Sequence, residues 1–309
     1  MKSLVLLFPG QGSQYVGMGK AFFDAHASVR TLFAEASEIL GIDVARLCFE
    51  GPEPTLVQTE NVQPAITLVN LASLQVLREY GVSPLATAGH SLGEYAALCA
   101  AGVFSFADTM RLVRVRGMAM QEAAERSPGG MVSVVGLTAD KLESVCAEAA
   151  DVGSVEVANH NSESQVALTG EKEALVRASA LAKAAGAKLV TPLKVSGPWH
   201  SRFMADAQRP LRDALDDCSV HAPTVPVIAN VTGAPYEAGQ VRELLVRQLV
   251  SPVRWTDSMA WLLAAGHRTF LEAGPGKVLT GLFRYIDKSA TARNVQDPET
   301  LAGALAAIA

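Results

Sequence analysis

One segment, ATAGHSLGEYAALCAAG at residues 86–102, constrains the fold more than any other part of the sequence. The apolar run LATAG at 85–89 is typical of a buried strand, and EYAALCAAG at 94–102 is typical of a helix that ends at a glycine. A buried strand, a glycine-containing turn and a helix in succession are the unit from which α/β folds are built. The sequence therefore predicts an α/β protein with residues 89–93 in a turn at the end of a sheet strand.

That turn, Gly89-His90-Ser91-Leu92-Gly93, matches the pattern G-x-S-x-G. In a turn of this kind the chain bends sharply from strand to helix, so that the serine hydroxyl stands clear of the sheet. Glycines flank the serine because side chains there would crowd the bend. Ser91 is therefore a candidate nucleophile, and the alternative is that it only caps the helix that follows.

Composition limits the class of protein. The chain has 309 residues, of which 49% are hydrophobic and 18% charged, which suits one large domain or two smaller ones. A net charge of -5 argues against a nucleic acid or an anionic membrane as a partner. No apolar stretch approaches the roughly 18 residues of a membrane helix. The first apolar run ends at Pro9-Gly10 without a small-residue cleavage site, so no signal peptide is expected. Four widely separated cysteines indicate reduced thiols in a cytoplasmic protein: Cys48, Cys99, Cys146 and Cys218.

The middle of the chain has its own pattern. Between SPGG at 127–130 and SGP at 196–198, apolar runs and helical periodicity alternate as strand, helix, strand, strand, helix, strand. This is the ferredoxin-like order. The sequence thus predicts a small α+β subdomain at 128–196, inserted into a large α/β-hydrolase-like domain formed by 1–127 and 197–309.

The elements expected in the large domain come from apolar periodicity and from glycine and proline punctuation. The predicted strands are 3–8, 85–89, 225–231 and 269–274. The predicted helices are 20–40, 64–80, 94–101, 204–217, 240–249 and 256–265, followed by a helical terminal region.

A serine nucleophile needs a base, and the histidines differ in their setting. His200 lies in VSGPWHSRFM, a Gly-Pro loop between a predicted strand and a predicted helix, where catalytic residues are common. His90 adjoins Ser91, but in a sharp strand-to-helix turn its side chain should point away from the hydroxyl. On these grounds His200 is a candidate base, and the alternative of an ordinary loop histidine stays open.

The attacked carbonyl oxygen also needs hydrogen-bond donors, which are commonly the backbone N–H after the serine and one from another loop. Leu92 supplies the first. Gln11, in the loop PGQGSQ after the first strand, is the candidate for the second, because Gly10 and Gly12 free the backbone there. This loop lacks the G-x-G-x-x-G spacing of a dinucleotide site, and GPGKV at 274–278 lacks the Ser or Thr of a phosphate-binding loop.

A set of motifs in order along nearly the whole chain resembles the malonyl-coenzyme A:acyl carrier protein transacylases and the acyltransferase domains of fatty acid and polyketide synthases. The matching motifs are FPGQGSQYVGMG (8–19), QPAI (63–66), GHSLGEYAAL (89–98), RVRGMAMQ (114–121), NHNSESQVALTG (159–170), GPWHSRFM (197–204), QLVSPVRW (248–255) and EAGPGKVLTGL (272–282).

The resemblance implies a role for several residues. Ser91 would be the nucleophile and His200 its base. Gln11 and Leu92 would hold the oxyanion. The base would be oriented by a backbone carbonyl at Gln248 rather than by an aspartate.

The resemblance also implies an acyl site. Arg116 would bind the free carboxylate of the malonyl group, although arginines on helices are usually solvated and the residues alone leave that alternative open. Gln63 and Asn161 would line the pocket. The chain departs from the family at Trp199, where the malonyl-selective pattern has Phe. A large aromatic residue there should still exclude a branched extender.

The activity implied is transfer of a malonyl group from malonyl-CoA through a Ser91 ester to the phosphopantetheine thiol of an acyl carrier protein. It requires no metal or cofactor and is expected of a monomer. Basic residues that could guide the acidic carrier are Lys194, Arg202, Lys277 and Arg284. The alternative is an editing acyl hydrolase on the same scaffold, in which water takes the acyl group. A silent docking subunit is disfavoured because both Ser91 and His200 are present.

Overall fold

The computed structural model describes residues 4–308, which form a mixed α/β fold with one parallel and one antiparallel sheet. The parallel sheet has the strand order β7-β2-β1-β8-β9. Its strands are β1 (Leu4–Phe8), β2 (Ala86–Gly89), β7 (Val227–Ile228), β8 (Thr269–Ala273) and β9 (Thr291–Val295). Ser3, which was expected to open the first strand, lies outside the described residues.

Both edges of the parallel sheet differ from the prediction. β9 lies in a region that was predicted to be helical, and its sequence TARNV lacks an apolar run because it is a partly exposed edge strand. β7 has two residues where seven were predicted. The chain leaves the sheet after Ile228 and folds back on itself, and the Ala229 N–H donates to the Ala234 carbonyl.

Helices surround this sheet. In the first half of the chain they are α1 (Lys20–Ala25), α2 (Ala27–Leu40), α3 (Val44–Glu50), α4 (Glu53–Leu56), α5 (Thr59–Glu79), α6 (Gly93–Ala100) and α7 (Phe106–Arg126). In the second half they are α10 (Gln208–Asp216), α11 (Val241–Gln248), α12 (Trp255–Ala264), α13 (Val278–Ile286) and α14 (Pro298–Ile308). The single helix predicted at 20–40 is interrupted by extended backbone at His26. The helix predicted at 204–217 begins as a 3-10 helix, Arg202–Ala207.

Helix α5 begins five residues before the predicted start at Pro64. A proline inside a helix leaves the carbonyl four residues earlier without its amide donor. Here that carbonyl belongs to Glu60, and it accepts a hydrogen bond from Nη1 of Arg114 at 2.9 Å. The arginine replaces the missing donor, so the helix extends through the proline.

The antiparallel sheet has the strand order β4-β5-β3-β6. Its elements run along the chain in the expected order: β3 (Gly130–Val135), α8 (Ala139–Ala149), β4 (Val155–Ser162), β5 (Gln165–Gly170), α9 (Lys172–Ala184) and β6 (Leu189–Pro192). Apolar residues of both helices and of β3, β4 and β5 form a core that is separate from the two cores on either side of the parallel sheet.

The turn between β2 and α6 is closely packed against β1. A Cβ atom on Gly89 would lie 1.9 Å from the Gly93 carbonyl carbon, and one on Gly93 would lie 2.0 Å from the Phe8 carbonyl oxygen. Ser91 has a φ of 51°, in the left-handed region that non-glycine residues seldom adopt. Both glycines are therefore required by close approach, and Ser91 stands at the tip of a strained turn.

Within residues 4–308, no helix has the length and apolar character needed to cross a membrane. The four cysteines are free thiols. This part of the chain also contains no group of three or more His, Cys, Asp or Glu side chains that could hold a metal ion.

Candidate active site

Ser91 and His200 lie side by side although they are 109 residues apart in the sequence. The Oγ atom of Ser91 is 2.6 Å from Nε2 of His200. Ser91 makes no capping bond to α6, whose N-cap residue is Leu92. The alternative that Ser91 is only a helix cap is therefore wrong.

His200 is held in one orientation by the main chain. Its Nδ1 lies 2.9 Å from the Gln248 carbonyl oxygen, so Nδ1–H donates and Nε2 is left to accept the Ser91 proton. Burial, together with the positive charge of Arg116, lowers the pKa of His200 to about 3. The imidazole is thus neutral near pH 7, and like Ser91 it has a left-handed backbone, with a φ of 59°.

His90 has other partners. Its Nε2 lies 2.8 Å from Oδ1 of Asn161, and its ring packs against Trp255 at a centroid distance of 5.4 Å. The side chain points away from the Ser91 hydroxyl, as expected. Asn161 is placed in the same contact and lines the cavity beside Ser91.

Arg116 is buried, with 1% of its surface exposed, so the alternative of a solvated helix arginine is wrong. Its Nη1 donates to Oε1 of Gln63 at 2.7 Å, and its Nη2 donates to Oε1 of Gln248 at 2.9 Å. Nη2 also lies 3.3 Å from Oγ of Ser91, and the guanidinium stands over the Tyr95 ring. A buried cation therefore lies directly beside the serine hydroxyl.

The loop after β1 lies against the serine turn. A Cβ atom on Gly10 would lie 2.4 Å from the His90 carbonyl oxygen and 3.6 Å from the Leu92 nitrogen. Among residues 4–308, neither the backbone N–H of Gln11 nor that of Leu92 has a hydrogen-bond acceptor. The Gln11 side chain is fixed by a bond from its Nε2 to Oγ1 of Thr59 at 2.8 Å. Two backbone donors thus remain available beside Ser91.

A cavity of about 250 Å³ opens at Ser91 and His200, between the end of the parallel sheet and the antiparallel sheet. Trp199 lines it and is 4% exposed. The other apolar lining residues are Met120, Met131, Ala167, Leu193, Val195, Val278, Leu279 and Leu282. Gln63, expected beside this cavity, lies instead behind Arg116 with its side chain fully buried, because its amide supports the guanidinium.

The basic residues expected to guide a carrier are all exposed, but they differ in position. Lys194 adjoins the cavity residues Leu193 and Val195, and Lys277 adjoins Val278. Arg284 lies two turns along α13 and stands over Tyr285. Arg202 lines a different groove, together with Glu156.

Sequence reasoning missed a buried polar cluster behind Ser91. Oδ1 of Asn230 accepts the Ser91 backbone N–H at 2.6 Å, and Nδ2 of Asn230 donates to the Gly89 carbonyl at 2.7 Å. Glu94 and Tyr236 complete the cluster. Two signals were present: Glu94 is a lone charge in an apolar helix, and Asn230 follows a strand at the carboxyl edge of the parallel sheet, where ligand sites gather.

The chain belongs to the acyl transferase family. A family model described as an acyl transferase domain matches residues 5–305. The resemblance found in the sequence is thereby confirmed.

Individual relatives agree with this assignment. A malonyl CoA-acyl carrier protein transacylase of Bacillus subtilis (strain 168) is 42% identical, covering 97% of this chain and 96% of the relative. A crystal structure of a malonyl-CoA:acyl carrier protein transacylase from Xanthomonas oryzae has a TM-score of 0.95 at 42% identity, covering 99% of this chain and 98% of that one. A malonyl-transacylase solved in complex with its type II polyketide synthase acyl-carrier protein also has a TM-score of 0.95, at 41% identity, and the match covers 99% of this chain and 100% of that chain.

Proposed function

We propose that this protein transfers a malonyl group from malonyl-CoA to the phosphopantetheine thiol of an acyl carrier protein. The observation that carries the proposal is the position of the Ser91 hydroxyl, which lies within hydrogen-bond reach of both a neutral histidine and a buried arginine. The histidine suits a nucleophile that must lose a proton. The arginine suits an acyl group that carries its own carboxylate.

The first half-reaction acylates the serine. His200 Nε2 takes the Ser91 proton as Oγ attacks the thioester carbonyl of malonyl-CoA, and the backbone N–H groups of Gln11 and Leu92 hold the oxyanion. The carbon–sulfur bond then breaks. The proton on His200 passes to the departing CoA sulfur, which leaves a malonyl ester on Ser91.

The second half-reaction reverses these steps with a different thiol. The carrier's phosphopantetheine thiol gives its proton to His200 and attacks the ester carbonyl, and Ser91 recovers its proton as the ester bond breaks. Gln248 supports both halves because its carbonyl accepts the Nδ1–H of His200 and keeps Nε2 directed at the serine. No metal or cofactor takes part in these steps.

Arg116 selects the acyl group. A guanidinium pairs with a carboxylate through two parallel hydrogen bonds, and in a dry site that pairing is strong and directional. The malonyl carboxylate would compete with the amide oxygens of Gln63 and Gln248 for these donors. Asn161 and Trp199 would close the remaining sides of the acyl site.

The editing hydrolase is not supported, because the relatives are transacylases by name and one is solved with its carrier protein. A carboxylate clamp is also not needed to clear simple acyl chains. Carrier docking is assigned to the mouth of the cavity, where Lys194 and Lys277 are exposed beside lining residues.

The finer architecture follows the same proposal. Residues 1–127 and 197–309 would form the α/β-hydrolase-like catalytic domain, and 128–196 the ferredoxin-like subdomain that forms the far wall of the cavity. The strand order β4-β5-β3-β6 with two helices supports the second assignment. Ser91, His200 and Arg116 come from one chain, which supports activity as a monomer.

The test is direct. The protein is incubated with malonyl-CoA alone and its intact mass is measured, and then a phosphopantetheine-loaded carrier protein is added. We expect a gain of one malonyl group on the enzyme, followed by its appearance on the carrier. Ser91→Ala should abolish the enzyme adduct. An adduct of unchanged yield in that variant would refute Ser91 as the nucleophile.

A further inference from the structure

Glu94 is a buried carboxylate that the proposed reaction does not use. It is the second residue of α6, directly after the serine turn, and 1% of its surface is exposed. Its neighbours along the helix are apolar, and a carboxylate in such a place is costly unless it is paired and hydrogen-bonded. The contacts it makes therefore indicate why it is there.

Three donors converge on this carboxylate. Oε1 accepts the Asn230 backbone N–H at 3.0 Å and the Tyr236 hydroxyl at 2.5 Å. Oε2 accepts Nε2 of Gln248. With no donor of its own, an ionised Glu94 accepts all three bonds, whereas the proton of a neutral Glu94 would need an acceptor, and of these three groups only the Tyr236 hydroxyl can accept.

Two of these donors also hold the reacting groups. Asn230 bonds to both ends of the serine turn through its side-chain amide, at the Ser91 N–H and the Gly89 carbonyl. Gln248 orients His200 through its backbone carbonyl and Arg116 through Oε1. The Glu94 carboxylate thus bonds directly to Asn230 and Gln248, the two residues that hold the nucleophile, the base and the arginine.

The Gln248 amide shows how the charge matters. Its oxygen faces the Arg116 cation, while its nitrogen faces Glu94 and the Ser91 carbonyl. An amide between an anion and a cation has one favoured orientation, because a reversed amide would direct its N–H groups at the guanidinium. Loss of the negative charge on Glu94 would weaken that preference.

We propose that ionised Glu94 is a positioning residue that holds Ser91, His200 and Arg116 in register through Asn230 and Gln248. This inference rests on the proposed function, which defines what the three groups do. Glu94 touches neither substrate nor reacting atoms, so its effect is transmitted through its neighbours.

The charges around Glu94 are consistent with this role. Burial raises its pKa to about 7, and the bonds from Tyr236, Asn230 and Gln248 and the charge of Arg116 act in the opposite direction. The ionisable groups that face it are Arg116 from α7, Tyr95 from its own helix and Tyr236 from the segment after β7. The carboxylate therefore gains its proton within the range in which an enzyme is assayed.

The experiment compares wild type, Glu94→Gln and Tyr236→Phe from pH 5 to 9. Tyr236→Phe is the matched variant, because it removes one donor to the carboxylate while leaving the charge and the packing in place. Malonyl and acetyl transfer are followed to give kcat and KM, and the rate at which a fluorophosphonate labels Ser91 is measured separately.

For wild type we expect kcat to fall as the pH is lowered through about 7. Glu94→Gln should lose this fall and lower kcat for both acyl groups by up to about a hundredfold, with little change in KM, because displaced reacting groups slow the chemical step. Tyr236→Phe should move the fall to higher pH, because the Tyr236 bond lowers the Glu94 pKa.

A wild-type kcat and pH profile in Glu94→Gln would overturn the proposal. If Glu94→Gln does not fold, Tyr236→Phe provides the test. A fall of kcat at the same pH as in wild type would contradict a role for the Glu94 charge. If wild type fails to transfer malonyl, the proposed function fails on its own. Fluorophosphonate labelling then still tests the positioning, which equal labelling rates in all three proteins would refute.

Discussion

The hydroxyl oxygen of Ser91 lies 3.3 Å from Nη2 of Arg116, and Ser91 itself lines the cavity. A cation so near the nucleophile stabilises negative charge that develops on the oxygen. In the proposed reaction it would also set how far an acyl carboxylate can stand from the carbonyl under attack. The same short contact would then serve both reactivity and the choice of acyl group.

Arg116→Ala should change selectivity rather than abolish all transfer. Removing one partner of a buried charge pair costs about 3–5 kcal/mol, which is about a hundredfold to several-thousandfold in malonyl transfer. Acetyl-CoA has no distal carboxylate, so its transfer should change little. The control is Arg111→Ala on the same helix, where Arg111 is exposed and forms an ion pair with Asp108. Equal losses for malonyl and acetyl in Arg116→Ala would refute the clamp.

His200→Ala should slow acylation of Ser91 by about a hundredfold to ten-thousandfold, the range for removal of a general base. The measurement is the pre-steady-state rate of malonyl-enzyme formation. His90→Ala is the matched control, because His90 adjoins Ser91 in sequence but bonds to Asn161. If His90→Ala were the slower of the two, the base would have been assigned to the wrong histidine.

The sequence predicted Ser91 because its strand, turn and helix are contiguous, so local pattern was sufficient. His200 and Arg116 needed the family resemblance, since nothing local distinguishes a buried arginine from a solvated one. Glu94 bonds to residues 136 and 142 positions away, so only the folded chain brings them together. The early start of α5 was hidden for a related reason: its proline is tolerated because Arg114 donates to the Glu60 carbonyl, 54 residues earlier in the chain.

Trp199→Ser should raise methylmalonyl transfer relative to malonyl transfer. A serine would open space in the cavity wall, and accommodation of one methyl group is worth roughly 1–3 kcal/mol. Trp199→Phe is the control for size. It removes no hydrogen bond, because Nε1 of Trp199 has no hydrogen-bond partner within residues 4–308. Competition between the two CoA esters gives the ratio. A ratio that stays constant in Trp199→Ser would show that selectivity is set elsewhere.

The dependence of stability on pH should expose two buried groups that act in opposite directions. The pKa of His200 is lowered from its usual value of 6.5 to about 3. Between these two pH values, the unfolded chain therefore carries a proton on His200 that the folded chain does not bind. Its contribution to the free energy of unfolding is present above pH 6.5 and is lost as the pH falls. The pKa of Glu94 is raised from 4.5 to about 7, so its contribution is full below pH 4.5 and is lost as the pH rises to 7.

Between pH 6.5 and 4.5 these two proton uptakes cancel, because one belongs to the unfolded state and the other to the folded state. Glu94→Gln should therefore lose stability relative to wild type on acidification across this range, by about 1.4 kcal/mol per pH unit. His200→Ala should gain by a similar amount relative to wild type. Urea unfolding at several pH values measures both differences, and groups that titrate alike in all three proteins drop out of them. If the stability differences of the two variants changed in the same direction with pH, the opposite pKa shifts of Glu94 and His200 would be contradicted. If neither difference changed with pH, neither group would have the shifted pKa that its burial predicts.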